Sequence, residues 1–276
     1  MSGVLRLSGV EVGPGCPLAI ISGPCMAESL QLCQDVGGAV AERCRALGLG
    51  YIFKASFDKA NRSSIHTPRG PGLEKGLEIL AAVKAELNVP ATTDIHEVGQ
   101  AASAGRVVDL LQIPAFLCRQ TDLLVAAAGT GRAVNAKKGQ FMSPGEMANV
   151  VTKLRESGAG EDQILLTERG TFFGYNRLVN DFAGFADMME LGPPVCFDAT
   201  HSTQQPGGQG QASGGRPERA GTLAKAAVAA GAHAVFVETH PNPKQALSDG
   251  SSMLVLEDAL RLLDDLARLH AAVSGS

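Results

Sequence analysis

Eight short apolar runs recur along the chain at near-even spacing, at 18–23, 51–57, 91–95, 108–113, 133–137, 164–168, 194–199 and 233–237. Between them lie Ala- and Leu-rich stretches whose spacing predicts helices over 30–47, 73–87, 99–105, 122–128, 144–157, 178–191, 218–230 and 254–272. Strand and helix in strict alternation is the pattern of βαβ units in a parallel sheet. Eight such units match closure into an α/β (β/α)8 barrel, the TIM barrel, which takes about 250 residues. The 276 residues therefore suit one barrel domain, 1–276, better than two unrelated ones. Ahead of the first run, Leu5, Leu7, Val10 and Val12 flank Ser8-Gly9, which predicts a small hairpin within 1–17 capping the bottom of the barrel.

Helix punctuation agrees with this division. Ser143-Pro144-Gly145-Glu146 supplies an N-cap, a first-turn proline and an early acid, while Gly48, Gly158 and Gly231 stand near helix ends. Two connections, 202–217 and 241–253, are long and rich in Gly, Pro and Ser. They follow late strands, so they are expected to be mobile lids over a site, the alternative being surface loops without function.

The runs end on residues that do chemistry: Cys25, Lys54, Asp94, Gln112, Lys137, Arg169, His201 and Glu238. In a closed barrel the C-terminal strand ends converge on one face, where such barrels hold their active sites. Eight separate positions are thereby expected to form one pocket.

Composition narrows the chemistry. A net charge of -4 argues against a general nucleic-acid or membrane-surface binder, both of which need a basic field, so any anion site must be local. No apolar run approaches the roughly 20 residues that span a bilayer. Six cysteines without paired spacing suit a reducing compartment, and the expected location is the cytoplasm. There is no P-loop, no Gly-x-Gly-x-x-Gly after a first strand and no Gly-x-Ser-x-Gly elbow, which removes the usual signatures of nucleotide-dependent kinases, dinucleotide dehydrogenases and α/β-hydrolases.

Two constellations remain. Cys25, His201 and Glu238 follow strands one, seven and eight, and Asp249 lies in the loop after strand eight. Strands eight and one are neighbours in a closed barrel, so these four are candidate ligands for one divalent metal. A mixed S, N and O set suits Zn²⁺, Fe²⁺, Co²⁺ or Mn²⁺ without choosing among them, and the residues alone leave a buried structural Cys25 equally open. The second constellation is cationic: Lys54, Lys59, Arg62, Arg119, Lys137, Lys138 and Arg169 fall at or beyond strand ends. Such a rim in an acidic protein suits phosphate-bearing substrates, against the alternative of solvated charges paired with nearby acids such as Asp94.

Read together, SGPCMAES from Ser22, FKASFDKANRSS from Phe53, TTDIHE from Thr92, QIPAFLCRQTDLL from Gln112, NAKKGQF from Asn135, FDATHS from Phe197, VETHPNP from Val237 and ALSDG from Ala246 resemble the 3-deoxy-D-manno-octulosonate 8-phosphate synthase family from about residue 18 to the C-terminus. The resemblance implies a (β/α)8 enzyme, a homotetramer, that condenses phosphoenolpyruvate with D-arabinose 5-phosphate for the inner core of lipopolysaccharide. Position by position, it implies that Lys54, Lys59, Gln112, Ala115, Lys137 and Arg169 hold phosphoenolpyruvate. Asn61, Arg62 and Ser63 would hold arabinose 5-phosphate, with Arg119 reaching its phosphate from a neighbouring subunit. Cys25, in place of the Asn of metal-independent members, implies the metal-dependent class, with Cys25, His201, Glu238 and Asp249 as ligands. Asp94 and Lys137 become the expected proton handlers, alongside His201.

Other functions compete, among them a sialic-acid-type synthase, whose unphosphorylated sugar would leave the second set of cations without an anion. A 3-deoxy-D-arabino-heptulosonate 7-phosphate synthase would use erythrose 4-phosphate, but that family shows Lys-Pro-Arg-Thr where this chain has Lys59-Ala60-Asn61-Arg62-Ser63. A non-catalytic phosphosugar-binding barrel would need only part of the matched positions.

Overall fold

The structure, a computed structural model, describes residues 3–61, 64–207 and 214–274. Eight parallel strands form the barrel: Ala19–Gly23, Gly50–Lys54, Ala91–Asp94, Leu110–Ile113, Ala133–Lys137, Ile164–Glu168, Val195–Asp198 and Ala234–His240. Each pairs with the next, and the eighth pairs with the first as well as the seventh, which closes the ring. The helices are α1 (Leu30–Leu47), α2 (Leu73–Leu87), α3 (Val98–Val107), α4 (Thr121–Ala128), α5 (Met147–Glu156), α6 (Phe182–Met189), α7 (Ala220–Ala229) and α8 (Leu256–Ser274).

Local chemistry explains these elements. Helix α1 begins where the Ser29 hydroxyl accepts the Leu32 N–H at 3.2 Å, and ends at Gly48 with φ 68°, a left-handed position that glycine takes at little cost. Its buried face is Cys33, Val36, Gly37, Val40, Ala41 and Cys44, the three-and-four spacing that lays one stripe on the barrel. At 143–146 the expected N-cap is a full capping box, with Ser143 and Glu146 exchanging bonds over a 3-10 turn that leads into α5.

One helix departs from expectation. Residues 178–191 do not form a single helix: Leu178–Val179 pairs antiparallel with Thr171–Phe172, and α6 starts at Phe182, where Asp181 accepts the Ala183 N–H. Leu178 and Val179 carry the apolar signal of a helix start, but ladder hydrogen bonds to the preceding segment use their backbone instead.

Alternation along the strands divides two cores. Outward residues such as Ile20, Phe53, Leu111, Val134, Leu166, Phe197 and Val235 pack under the helices. Inward residues Ala19, Ile21, Ile52, Leu110, Ala133, Leu165, Cys196, Ala234 and Phe236 form a separate cluster with Leu5, Val10 and Val12 of the hairpin. That hairpin is present as expected, with Leu5 opposite Val12 and Gly9 at φ 77° in its turn. Its apolar face fills the N-terminal end of the barrel. Going up each strand, the inward positions change from apolar to charged or amide: Ile52 to Lys54, Leu110 to Gln112, Cys196 to Asp198, Phe236 to Glu238. The same period-two alternation thus builds a dry floor and a polar ceiling.

Candidate active site

A cleft of about 530 Å³ opens over the C-terminal strand ends. Lys54, Lys59, Asn61, Asp94, Gln112, Ala115, Lys137, Arg169, His201 and Asp249 all line it, residues the sequence scatters over nearly two hundred positions. Its walls also include Gln140, Gln204, His96 and the stretch 246–251. Arg62 and Ser63 lie outside the described residues. Arg119 does not join the cleft of its own chain: it is exposed and borders a separate hollow with Glu146 and Lys153.

On the floor stands the Phe236 ring. Lys137 Nζ sits 3.7 Å from its centroid and Lys54 Nζ 5.5 Å, so the aromatic face supports two ammonium groups from below. Lys137 donates to Asp198 Oδ2 at 2.5 Å, and the same oxygen meets His201 Nδ1 at 2.7 Å. Asp198 is completely buried, and burial alone would favour its neutral form; His201, Lys137 and Arg169 outweigh that and hold its carboxyl well below the usual range. Asp198, like Gln140 and Gln204, is a site residue that the strand-end pattern does not single out. It sits inside an apolar run, and only the alternation Cys196, Asp198 shows that it points inward.

Lys54 forms a buried ion pair with Glu238 and donates to the Cys25 carbonyl at 3.1 Å. Asp94 accepts from Ser56, and His96 Nε2 stands 3.2 Å from its other oxygen. Burial would raise the Asp94 pKa, but His96, Lys54 and Lys59 keep it well below the ordinary carboxylate range. Beneath the cleft, Thr167 donates to Asn135 at 2.7 Å and Asn135 to Gln112 at 3.4 Å, orienting the Gln112 amide. Arg169 donates to the His201 carbonyl at 2.8 Å and to Gln204 Oε1 at 2.7 Å.

Cys25, Glu238 and Asp249 bring a sulfur and two carboxylate oxygens within 4.8 Å of one another, a group able to hold a metal ion. The Cys25 thiol donates to Asp249 Oδ2 at 2.9 Å, and burial, reinforced by Asp249 and Glu238, pushes its pKa well up. Asp249 adopts φ 50°, an uncommon value for a side-chain-bearing residue that Asp tolerates better than most, and its carbonyl caps the following turn. Glu238 Oε2 is buried, makes no hydrogen bond of good geometry and has only the His201 ring nearby, which leaves it room to serve a divalent cation. Thiolate and carboxylate together fit a cation of borderline softness. His201, expected as a fourth ligand, stands beside the group rather than within it: its Nε2 is 3.2 Å from that Glu238 oxygen while Nδ1 faces Asp198.

Lys138 corrects the expected cation set. As the neighbour of inward Lys137 it faces out of the barrel, is fully buried and does not line the cleft.

Comparison with known proteins fits this geometry. Three proteins named 2-dehydro-3-deoxyphosphooctonate aldolase align over nearly their whole lengths. The one from Albidiferax ferrireducens is 54% identical over 271 residues, 97% of this chain and 95% of that protein. Those from a Synechococcus strain and from Desulfotalea psychrophila are 55% and 52% identical, covering 96% of this chain in each case and 92% and 94% of their own. The profile of the DAHP synthetase I family matches residues 4–272, hairpin, barrel and cleft together, and the chain belongs to that family.

Proposed function

We propose that the protein condenses phosphoenolpyruvate with D-arabinose 5-phosphate and water, giving 3-deoxy-D-manno-octulosonate 8-phosphate and inorganic phosphate, a step toward the lipopolysaccharide inner core. One observation carries the reading: a cleft walled by Lys54, Lys59, Lys137 and Arg169 beside Asp94, in a chain of net charge -4. The name borne by relatives more than half identical to this chain supports the same substrates.

The chemical difficulty is that both reactants are anions. Two unit charges 4 Å apart repel by about 4 kcal/mol at a typical protein-surface dielectric, and the cationic wall reverses that sign for each substrate. Lys54, Lys59, Gln112, Ala115, Lys137 and Arg169 are assigned to phosphoenolpyruvate, and Asn61, Arg62 and Ser63 to arabinose 5-phosphate. Holding C3 of the enol against the sugar aldehyde is the orientation effect that can supply about 7–11 kcal/mol of a barrier. Asp94, ionised and oriented by His96 and Ser56, is placed to accept the proton that the water adding to C2 loses and to pass it to the aldehyde oxygen as that becomes a hydroxyl. Lys137, clamped between Asp198 and the Phe236 ring, serves the enol side, and Asp198 keeps the His201 ring oriented.

Cys25, Glu238 and Asp249, with His201 beside them, are the residues that would hold one Zn²⁺, Fe²⁺, Mn²⁺ or Co²⁺. When bound, such an ion supplies Lewis acidity next to the reacting aldehyde or water. We assign the chain to the cytoplasm, where six free cysteines are stable, as one barrel domain. A homo-oligomer is proposed because Arg119 stands exposed away from its own cleft, where it would serve a neighbouring subunit's sugar phosphate, and the family resemblance makes that oligomer a tetramer. Among the described residues no helix is long and apolar enough to cross a membrane.

The test is phosphate release from phosphoenolpyruvate with arabinose 5-phosphate or erythrose 4-phosphate, before and after chelation and with Mn²⁺, Co²⁺ or Zn²⁺ restored. Turnover with the five-carbon sugar, lost on chelation and regained with metal, is expected. Turnover only with erythrose 4-phosphate would assign the other acceptor, and release with neither would reduce the protein to a binder.

A further inference from the structure

Two adjacent strand ends carry residues back to back. At the end of the fifth strand Lys137 points into the cleft and Lys138 out of the barrel; at the end of the sixth, Arg169 points in and Glu168 out. The outward pair is not idle. Lys138 Nζ, with no exposure to solvent, donates to Thr171 Oγ1 at 3.0 Å, to the Met142 carbonyl at 3.1 Å and to the Gly139 carbonyl at 3.2 Å, and Glu168 Oε2 lies 3.5 Å away. All three ammonium hydrogens are therefore used, each on the loop after strand five or the segment after strand six. Glu168 is also buried, and its other oxygen accepts the Gly170 N–H. A backbone bond from Phe172 to the Gln140 carbonyl, 3.0 Å, joins the same two loops.

These loops carry the cationic wall. Lys137 precedes Lys138, Arg169 follows Glu168, and Gln140, which lines the cleft, lies inside the segment whose carbonyls Lys138 holds. A displacement of either loop moves an anion-holding group on the other side of the backbone. We propose that Lys138 is a positioning residue for phosphoenolpyruvate: anchored by Glu168 and Thr171 behind the barrel wall, it fixes the spacing of Lys137 and Arg169 at the front. Burial and its own charge partners define the role, since Lys138 touches no substrate. The tight satisfaction of its donors matters because a buried ammonium short of partners is strongly unfavourable.

This proposal rests on the phosphoenolpyruvate assignment of Lys137 and Arg169, so the experiment reads binding as well as turnover. Calorimetric affinity for phosphoenolpyruvate alone, and KM for each substrate, are measured on the wild-type protein, on a Lys138→Met/Glu168→Gln double variant that removes both buried charges together, and on Thr171→Val, which removes one acceptor. The expected result is a fivefold or greater weakening of phosphoenolpyruvate affinity and KM in the double variant. A twofold to threefold change is expected in Thr171→Val, with the arabinose 5-phosphate KM within twofold in both.

Unchanged phosphoenolpyruvate binding, or an equal rise in both KM values, overturns the positioning role and leaves Lys138 a stability element. If the double variant does not fold, Thr171→Val alone decides by the same criterion. A wild-type protein that binds no phosphoenolpyruvate would instead overturn the substrate assignment, a distinguishable failure.

Discussion

Lys54 and Glu238 meet as an ion pair across the barrel interior with side chains only 2% and 1% exposed. The two charges come from the second and eighth strands, either side of the first, so the pair ties the ring across its seam. Burial raises the cost of either charge alone, and the geometry compensates both.

Removing one partner should therefore cost more than removing both. Lys54→Met is expected to destabilise the barrel by about 3–5 kcal/mol, the usual cost of leaving a buried charge unpaired. The double variant Lys54→Met/Glu238→Gln should recover most of that while staying inactive, since both groups face the reaction. Urea unfolding of the three proteins measures the stabilities; a double variant no more stable than the single would show that the pair is not the source of the loss.

The metal group gives a second expectation. Cys25→Ala should lower bound divalent metal, measured by elemental analysis, and abolish metal-supported phosphate release, while the circular dichroism spectrum stays that of the folded barrel. Full activity in this variant after exhaustive chelation would remove Cys25 from the ligand set. Cys25→Asn should lose metal dependence and keep some turnover.

Sequence patterning made the barrel legible because the strand ends and helix caps are local signals. Helices α1 and α2 carry the expected bounds, since Gly48 and a three-and-four apolar stripe mark them directly. Leu178–Val179 was unreadable as a strand, because two apolar residues carry no period and their partner strand precedes a loop. Asn180-Asp181 was the better helix-start signal. Within the site, Cys25 and Asp249 were expected to meet because closure makes strands one and eight neighbours. Asp198 and the outward turn of Lys138 depend on strand phase, which a run of uniformly apolar residues conceals.

Alkaline stability follows from two thiols. Cys33 and Cys44 are buried on the inner face of α1, and burial pushes both up to about 12 from an ordinary 9.0. Between those values the unfolded chain has lost the protons and the folded one has kept them. Their contribution is fully present below pH 9 and declines as pH rises toward 12, on the order of 1.4 kcal/mol per pH unit for each thiol. A Cys33→Ala/Cys44→Ala variant should be less stable at pH 8 through lost packing, yet lose less between pH 8 and 10.5 than the wild type does. Parallel loss in the two proteins, followed by urea unfolding at each pH, would refute this source.

Arg119 offers a test of assembly. Because it is exposed and outside its own cleft, Arg119→Ala should change stability by less than about 0.5 kcal/mol. The arabinose 5-phosphate KM should nevertheless rise tenfold or more with the phosphoenolpyruvate KM unchanged. Mixing this variant with an inactive Lys137→Met chain should restore part of the activity if the arginine acts between subunits, and none if it does not.

Gly23 ends the first strand, opposite Glu238 in the ladder and against the backbone of Lys54. A Cβ there would lie 2.1 Å from the Lys54 carbonyl oxygen and 3.1 Å from the Phe53 ring, and the first contact is backbone that cannot turn aside. Gly23→Ala must push the second strand away from the first, and overpacking of this kind costs about 1–3 kcal/mol or more. The displaced strand carries Lys54, so turnover should fall further than stability alone explains. Gly99 is the contrasting case: exposed near the start of α3, with nothing within 4 Å of an added Cβ. Gly99→Ala should leave turnover unchanged and raise stability by up to about 1 kcal/mol through helix propensity. Equal effects of the two substitutions on thermal unfolding would show that backbone approach at the seam does not constrain the barrel.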